Sequence, residues 1–406
     1  MLDRAYKPLE DSRLFRNLSI KMRVLLLANV PTPYNLPLIE MVRSQSGWDF
    51  EVCFISSSNE AVGWADEDKP LPENDGMSII DRRLPRLNRL LGSHSAAATA
   101  LIATLKTHRP DYLILYGYTQ LPQMLAIFWA VLTGTPFAIM GDANIYADCA
   151  TGLRRIIKRF WLRKVTRRAA ALIAVGTTNR LFWESYGALP EQLFDLRYPV
   201  DNDYFAREAV AQKASADELR DRMGLAGSVI FLFVGRLIER KRIDLLIQAV
   251  KSLPGKPLGL VIVGSGEERE KLEQLAAGDR RIVFAGITSY RELPRYYALA
   301  DVLVLPARHE PWGLVINEAM ASGLAVIAHR HCGAAVDLVG NDNGVALDGF
   351  SVDELAAAMR LLAGNDALRN SMQRNSREKI RAWSFETAAP VIIHAVEYSC
   401  QNKISK

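Results

Sequence analysis

Residues 229–236 read Val-Ile-Phe-Leu-Phe-Val-Gly-Arg, a continuous apolar run that ends at a glycine. This pattern is typical of a strand buried on both faces, because crossover helices cover both sides of a parallel sheet. Similar short runs recur along the chain, and stretches of helical character separate them. The alternation of strands and helices predicts an α/β protein with parallel sheets.

The apolar runs fall into two series, which predict two tandem Rossmann-like domains that face each other across a cleft. The first series comprises 24–27, 50–55, 112–116, 137–140, 171–175 and 193–197, and the second comprises 229–234, 258–263, 281–285, 302–305, 325–328 and 345–347. In open α/β sheets, ligands bind beyond the carboxyl ends of the strands. Residues at those ends are therefore the candidates for a functional site.

The two series also predict the domain boundaries. A first domain is expected over 22–200 and a second over 201–383. The final segment, 384–406, is expected to form a helix that packs back across the joint. Residues 1–21 mix charged side chains with no apolar run, so we expect a disordered extension there.

Composition excludes several classes of protein. The chain has 406 residues, and 50 Lys and Arg residues against 45 Asp and Glu residues give a net charge of +5. This excess is too small for a dedicated nucleic-acid-binding protein. The four cysteines contain no Cys-x-x-Cys pair, which argues against structural zinc and fits a cytoplasmic location. No apolar stretch reaches about eighteen residues, so no spanning helix is expected.

The most informative segment is 308–323, which reads Arg-His-Glu-Pro-Trp-Gly-Leu-Val-Ile-Asn-Glu-Ala-Met-Ala-Ser-Gly. It follows a predicted strand and forms a loop that leads into a short helix. The free amides at the helix start, at Gly313 and Leu314, would bind an anion. Glu310 and Glu318 bracket this start, and carboxylates suit sugar hydroxyls. The pattern therefore predicts a sugar-nucleotide site, and the alternative is an amphipathic helix with two surface glutamates.

A second candidate segment, 234–242, reads Val-Gly-Arg-Leu-Ile-Glu-Arg-Lys-Arg at the carboxyl end of another strand. Gly235 permits a tight turn, and Arg236 and Lys241 can both reach the cleft. Two fixed cations there would stabilise a departing diphosphate. Arg240 and Arg242 are expected to face solvent, and a solvated basic turn is the alternative for the whole segment.

Both segments resemble a known family. Glu310 and Glu318 match the paired-glutamate (E-x7-E) motif of the family 4, or group 1, retaining glycosyltransferases, which have the two-domain GT-B fold. Segment 234–242 is similar to the family's Gly-Arg-Leu…Lys motif. Segment 285–287, Ala-Gly-Ile, looks like the loop whose backbone reads the nucleotide base, which places Ile287 there.

The resemblance implies a hexosyltransferase that uses a UDP- or GDP-sugar, without a metal or other cofactor. The implied acceptor is a glycan or a lipid-linked molecule in bacterial-type surface polysaccharide or glycoconjugate synthesis. Glu310 would bind the transferred sugar and Glu318 the ribose. The implied catalytic residues are Glu310, Lys241 and Arg236, and the implied donor-binding residues are Gly235, Arg236, Lys241, Ile287, Glu310, Trp312, Gly313, Leu314 and Glu318.

The first half of the chain is less informative. Pro31 and Pro33 stiffen the loop after the first strand, where many family members carry a glycine-rich loop. Tyr34 in that loop and Asp142 after a later strand are the candidates for contacts with the acceptor. Residues 201–203 imitate a metal-binding Asp-x-Asp sequence, but they lie in the joint, so no metal site is expected.

Residues 154–168 carry eight cations and no carboxylate, with apolar residues at helical spacing. A basic amphipathic helix of this kind can bind an anionic bilayer. We therefore expect peripheral association with the inner face of the plasma membrane. The alternative is an ordinary domain helix with its apolar stripe in the core and its cations in water.

Three other functions remain open at this stage. The first is a GT-B enzyme that hydrolyses or epimerises sugar nucleotides without a sugar acceptor. The second is a nicotinamide oxidoreductase, although Arg269 stands where the third glycine of a dinucleotide motif would follow Gly264 and Gly266. The third is a non-catalytic membrane-binding subunit. The nucleotide base, the sugar, the acceptor, the linkage and the oligomeric state also remain open.

Overall fold

The computed structural model describes residues 21–56, 77–80, 93–147, 152–255 and 257–404. The predicted extension over 1–21 therefore lies outside the described residues except for Lys21. The described chain forms two parallel β-sheets, with helices on both faces of each.

The first sheet has seven described strands in the order β3-β2-β1-β4-β5-β6-β7. Most of their residues are buried, which explains the strong hydrophobicity of these runs in the sequence. The short strand β3 has no counterpart among the predicted runs. The strands are β1 (Arg23–Ala28), β2 (Asp49–Phe54), β3 (Met77–Ile79), β4 (Tyr112–Tyr116), β5 (Phe137–Gly141), β6 (Ala171–Val175) and β7 (Leu193–Leu196).

The described helices of the first domain connect these strands. They are α1 (Asn35–Ser46), α2 (Ser93–His108), α3 (Leu121–Thr133), α4 (Gly152–Arg168) and α5 (Gly176–Ser185). Helices α3 and α4 contribute buried side chains to the same hydrophobic cluster on one face of the sheet.

The second sheet has six described strands in the order β10-β9-β8-β11-β12-β13. The strands are β8 (Val229–Val234), β9 (Leu258–Val263), β10 (Ile282–Gly286), β11 (Val302–Leu305), β12 (Ala325–His329) and β13 (Gly344–Leu347). Its helices are α6 (Asn202–Ala211), α7 (Lys213–Arg222), α8 (Ile243–Lys251), α9 (Arg269–Ala276), α10 (Leu293–Leu299), α11 (Leu314–Ser322), α12 (Gly333–Leu338), α13 (Val352–Ala363) and α14 (Asp366–Ile380).

The final helix, α15 (Phe385–Ile404), follows the second domain in the chain but packs against the first. It contacts α1, β6 and β7, and the Ser399 hydroxyl lies 2.8 Å from the hydroxyl of Tyr112 in β4. The predicted fold class, two tandem Rossmann-like domains with a terminal helix crossing the joint, is confirmed.

The strand order of the second sheet brings the two candidate segments together. Strand β8 pairs with β9 on one side and with β11 on the other, so the chain direction of the crossovers reverses between β8 and β11. At such a switch point the loops after the two central strands diverge and leave a crevice. The loop after β8 carries Lys241, and the loop after β11 carries Glu310.

Glycines set the spacing between the loops that end β8 and β9. Gly264 has a φ of +133°, and a Cβ placed on it would lie 2.0 Å from the carbonyl oxygen of Gly235. A Cβ on Gly266 would lie 2.3 Å from the carbonyl oxygen of Leu237. The Gly-x-Gly turn therefore lets the backbone that follows β9 support the loop that leads to Lys241.

Gly264→Ala should destabilise the protein by on the order of 3 kcal/mol, because it combines backbone strain with a clash against main chain. Thermal unfolding of the purified variant measures this. Gly278→Ala is the matched control, since Gly278 also has a positive φ (+84°) but nothing lies within 4 Å of its added Cβ. Equal melting temperatures for the two variants would contradict the tight approach.

Candidate active site

The centre of the site is a partly buried ion cluster between the loops after β8 and β11. Lys241 Nζ and Arg240 NH1 each lie 2.6 Å from the same oxygen, Oε2, of Glu310. Lys241 is buried, while Arg240 stays partly open to solvent and also donates to the carbonyl of His309 at 2.8 Å. The prediction that Arg240 faces solvent missed this role.

A tight turn explains why both cations reach one carboxylate. Residues Glu239–Lys241 form a single 3₁₀ turn, and Arg242 after it adopts a left-handed backbone with φ +54°. The Arg242 guanidinium pairs with Asp244 instead, so it lies outside the Glu310 cluster.

The cations keep Glu310 ionised. Burial alone raises the pKa of a carboxyl, but the nearby charges of Lys241 and Arg240 and their hydrogen bonds outweigh it and lower the pKa of Glu310. A fixed negative charge with two cations beside it is therefore present at the mouth of the crevice at neutral pH.

Helix α11 begins next to this cluster. Gly313 precedes its first residue with φ +96°, a left-handed conformation that glycine adopts without cost. Within the described chain, no group accepts a hydrogen bond from the amides of Gly313 or Leu314. Free amides at a helix start, with the positive end of the helix dipole, form an anion site.

The other residues predicted to bind the sugar donor lie in different surroundings. Arg236 is exposed on the loop after Gly235, outside the ion cluster. Ile287 is 56% exposed, directly after β10. Arg236 and Ile287 are therefore accessible to a ligand, whereas Trp312 and Glu318 are buried.

The structure buries Trp312 in the joint between the domains instead of exposing it to a ligand. Its indole nitrogen donates to Asn317 at 2.9 Å, and its ring stacks on Trp383 with 5.2 Å between centroids. Gly176 of the first domain lies so close that an added Cβ would sit 2.4 Å from the Trp312 ring. Trp312 therefore packs the two domains together, and Gly313, the next residue, precedes the start of α11.

A side chain of the first domain holds the backbone around Glu310. Asn144, which is buried in the loop after β5, donates through Nδ2 to the carbonyl oxygens of Glu310 at 2.9 Å and His331 at 3.1 Å. Its Oδ1 accepts from the amide of Tyr146, and the Tyr146 ring stacks on His331 at 4.2 Å. Closure of the domains therefore fixes the loop that carries Glu310.

Glu318 lies inside α11 and has no solvent exposure. The hydroxyl of Tyr297, on α10, donates to its Oε2, and the hydroxyl of Tyr34, in the first domain, donates to its Oε1, both at 2.5 Å. Burial raises the pKa of Glu318 to about 7, although the two tyrosine hydrogen bonds act in the opposite direction.

The two candidates on the acceptor side separate in the structure. Tyr34 is buried against Glu318 of the second domain, because the loop after β1 points its ring across the joint. Asp142 instead reaches solvent in the cleft. Protein surrounds its carboxyl closely enough to raise its pKa, and the charge of Glu310 raises it further while Arg240 opposes the shift.

Sequence reasoning missed Arg240, Asn144 and Tyr297 as members of the site. Arg240 lies among five charged residues in a turn, and nothing in that run distinguishes it from its neighbours. Asn144 stands two residues after Asp142, so the polar loop after β5 was the available signal. Tyr297 lies on a helix whose packing against α11 is visible only in three dimensions.

Free helix amides and paired cations at the switch point of an α/β sheet are typical of a Rossmann-like domain that binds an anionic ligand. Residues 215–379 match the sequence model of the family described as glycosyl transferases group 1. This match lies within the second domain, which is similar to that family, and the chain as a whole has the predicted GT-B arrangement of two domains.

Two curated relatives match about half of the chain. Alpha-D-kanosaminyltransferase of Streptomyces kanamyceticus is 31% identical over 220 residues, covering 53% of this chain and 56% of the relative. The GDP-mannose-dependent alpha-(1-6)-phosphatidylinositol monomannoside mannosyltransferase of Mycobacterium tuberculosis is 35% identical over 204 residues, covering 47% and 52%. The chain thus spans about half the length of these relatives.

A solved structure shares the whole architecture. Anabaena HepE, crystallised with UDP and glucose, aligns with a TM-score of 0.71 at 17% identity, covering 92% of this chain and 99% of HepE. Identity at this level shows the fold alone.

Glu318 should make folding stability fall as pH rises from about 4.5, its ordinary pKa, to about 7, its pKa in the folded protein. In this window the folded state binds the proton more tightly, so the loss approaches about 1.4 kcal/mol per pH unit. Glu318→Gln removes this pH dependence, because glutamine does not titrate. In urea unfolding between about pH 5 and 8, the free energy of unfolding of the variant should therefore rise relative to that of the wild type as pH rises.

Glu378→Gln is the control, because Glu378 is 74% exposed and should leave the pH profile of the wild type unchanged. A constant difference in stability between wild type and Glu318→Gln across this range would contradict the raised pKa of Glu318.

Proposed function

We propose that the chain is a retaining glycosyltransferase that moves a hexose from a UDP- or GDP-sugar to a glycan or lipid-linked acceptor. The observation that carries the proposal is the cluster of Lys241, Arg240 and Glu310 beside the free amides of Gly313 and Leu314. Cations and amides together suit a diphosphate, and a carboxylate at the same point suits the hydroxyls of a sugar. The family of residues 215–379 and the UDP bound in HepE support this assignment.

The diphosphate would lie between Lys241 and the start of α11. Negative charge grows on it as the bond between the sugar carbon and the phosphate oxygen breaks. Cations and amide dipoles that are already in place stabilise this charge without reorganising during the reaction. Arg236, exposed on the same loop, can extend over the outer phosphate oxygens.

The acceptor would enter from the first domain. Its hydroxyl oxygen forms the new bond on the face that the diphosphate leaves, and a phosphate oxygen takes the hydroxyl proton, so no protein nucleophile or metal is required. Asp142 lies in the cleft within the electrostatic field of Glu310 and Arg240, where its carboxylate can orient the hydroxyl. The lipid-linked acceptor of the mycobacterial relative favours an acceptor of that class.

Lys241→Ala and Glu310→Ala should each lower kcat/KM by at least tenfold, because the first removes a cation that stabilises the leaving diphosphate and the second removes the carboxylate that suits the sugar hydroxyls and holds Lys241 and Arg240 in place. A panel of UDP-, GDP- and ADP-sugars, assayed first for hydrolysis and then for transfer to added acceptors, provides the measurement. The productive sugar nucleotide also identifies the base and the sugar.

Lys251→Ala is the matched control for the loss of a lysine in the same domain, because Lys251 is exposed and bonds only the carbonyl of Leu275 in the described chain. Full activity of either site variant would refute the assignment. Release of an epimer or free sugar with no transfer to any acceptor would favour the hydrolase or epimerase, and binding of NAD would favour an oxidoreductase.

We also propose that helix α4 binds an anionic membrane surface. Its second half packs inward through Leu162 and Val165, but the apolar residues of its first half stay exposed. These are Leu153, Ile156, Ile157 and Phe160, each 60–70% exposed and interspersed with the cations of the same helix. The core therefore covers only part of the apolar stripe. This favours membrane binding by α4 over the alternative of an ordinary domain helix.

Helix α3 also exposes apolar side chains. Helix α3 has no charged residue, and its Phe128 and Leu132 are exposed although other α3 residues pack in the same cluster as α4. Apolar side chains that enter a bilayer surface, flanked by cations worth about 1 kcal/mol each, give reversible peripheral binding. No helix in the described ranges is long and apolar enough to cross a bilayer. The inner-face, cytoplasmic location remains a prediction.

The double variant Ile156→Ser/Phe160→Ser should lose most binding to vesicles that contain an anionic phospholipid, because it removes the side chains that enter the bilayer. Sedimentation with phosphatidylglycerol vesicles measures the loss, and wild-type binding should weaken with added salt.

Val210→Ser/Leu361→Ser is the matched control, since both residues are exposed apolar positions in the second domain. Equal sedimentation of the wild type with neutral and anionic vesicles, or unchanged binding of the α4 variant, would contradict the membrane assignment.

A further inference from the structure

The contact between Tyr34 and Glu318 joins the two domains at one of the paired glutamates. Tyr34 belongs to the first domain and Glu318 to the second, and their oxygen atoms lie 2.5 Å apart. Glu318 has no exposed surface and Tyr34 has 7%. Because Glu318 is fully buried, no hydroxyl of a ligand can reach its carboxylate in this arrangement.

Hydrogen bonds within the loop after β1 fix the position of Tyr34. The amide of Thr32 donates to Oδ1 of Asn35 at 2.8 Å, and Nδ2 of Asn35 donates to the carbonyl of Val30 at 2.9 Å. Pro31 and Pro33 restrict the same segment. The loop therefore holds the hydroxyl of Tyr34 in place with little freedom of its own.

Aromatic rings of the second domain surround the contact. The Tyr34 ring meets Tyr290 edge to face at 5.7 Å, and Tyr290 stacks on Tyr204 at 5.5 Å. Tyr290 lies just beyond Ile287, in the segment after β10. A flat ring from the first domain thus lies beside the segment to which the sequence assigned the nucleotide base.

We propose that Tyr34 occupies the nucleoside part of the sugar-donor site, with its hydroxyl in the place of a ribose hydroxyl on Glu318 and its ring beside Tyr290. The structure is then a closed state without the donor, and donor binding requires the first domain to withdraw Tyr34. This inference rests on the proposed function, because it takes the ligand to be a nucleoside diphosphate sugar.

Competition for Glu318 lowers the apparent affinity for the nucleotide. Only molecules with Tyr34 withdrawn can bind, so the measured Kd is the intrinsic Kd divided by the fraction in that state. Removing the Tyr34 hydroxyl deletes the hydrogen bond that crosses the joint and holds the first domain over Glu318, which favours the withdrawn state. A loss of a native hydrogen bond should therefore improve binding.

Titration calorimetry of UDP and GDP into the 406-residue chain tests this. Tyr34→Phe should bind the preferred nucleotide about tenfold more tightly than the wild type, and Tyr34→Ala, which also removes the ring, should do so as well. Tyr297→Phe is the matched control, because it deletes the hydrogen bond to the other Glu318 oxygen within the second domain and leaves Tyr34 in place. It should not tighten binding.

The outcomes separate the two proposals. Equal or weaker binding by both Tyr34 variants, with the wild type binding normally and all variants folded by thermal unfolding, would overturn the role of Tyr34 and leave the proposed function standing. Tighter binding by Tyr297→Phe as well would also overturn it, because the gain would then come from Glu318 alone. Absence of UDP and GDP binding to every variant would overturn the proposed function and this inference together.

Discussion

The site depends on one carboxylate oxygen, Oε2 of Glu310, which both Lys241 and Arg240 approach to 2.6 Å. A largely buried carboxylate or ammonium group alone would be costly, and each offsets the burial of the other. The pair can form only because β8 and β11 are neighbours while their loops diverge. Strand order, the glycine-supported loop and the 3₁₀ turn at Lys241 therefore serve the same contact.

The first domain completes this site instead of merely facing it. Asn144 fixes the backbone of Glu310, and Tyr34 bonds the carboxylate of Glu318, so each paired glutamate is contacted from across the joint. Trp312 and Gly176 pack the domains together between these points. A relative movement of the domains would change the surroundings of both glutamates at once, which links domain closure to the chemistry of the second domain.

Sequence patterns predicted what depends on local chemistry. Buried parallel strands are continuous apolar runs, so twelve of the thirteen described strands were found, and β3 was missed because Ser78 interrupts its three residues. The loop-to-helix pattern of 308–323 predicted a helix start near Gly313, where α11 begins. The pattern could not show that Arg240 turns inward, that Trp312 is buried in the joint or that Tyr34 contacts Glu318. Those outcomes depend on one backbone turn and on contacts between residues far apart in sequence.

A crystal structure of the protein with UDP or GDP would show directly whether the diphosphate lies between Lys241 and the start of α11. Phosphate oxygens should lie within hydrogen-bond distance of Lys241 Nζ and the amide of Leu314. A nucleotide bound elsewhere, with the Glu310 cluster intact and the start of α11 empty, would contradict it.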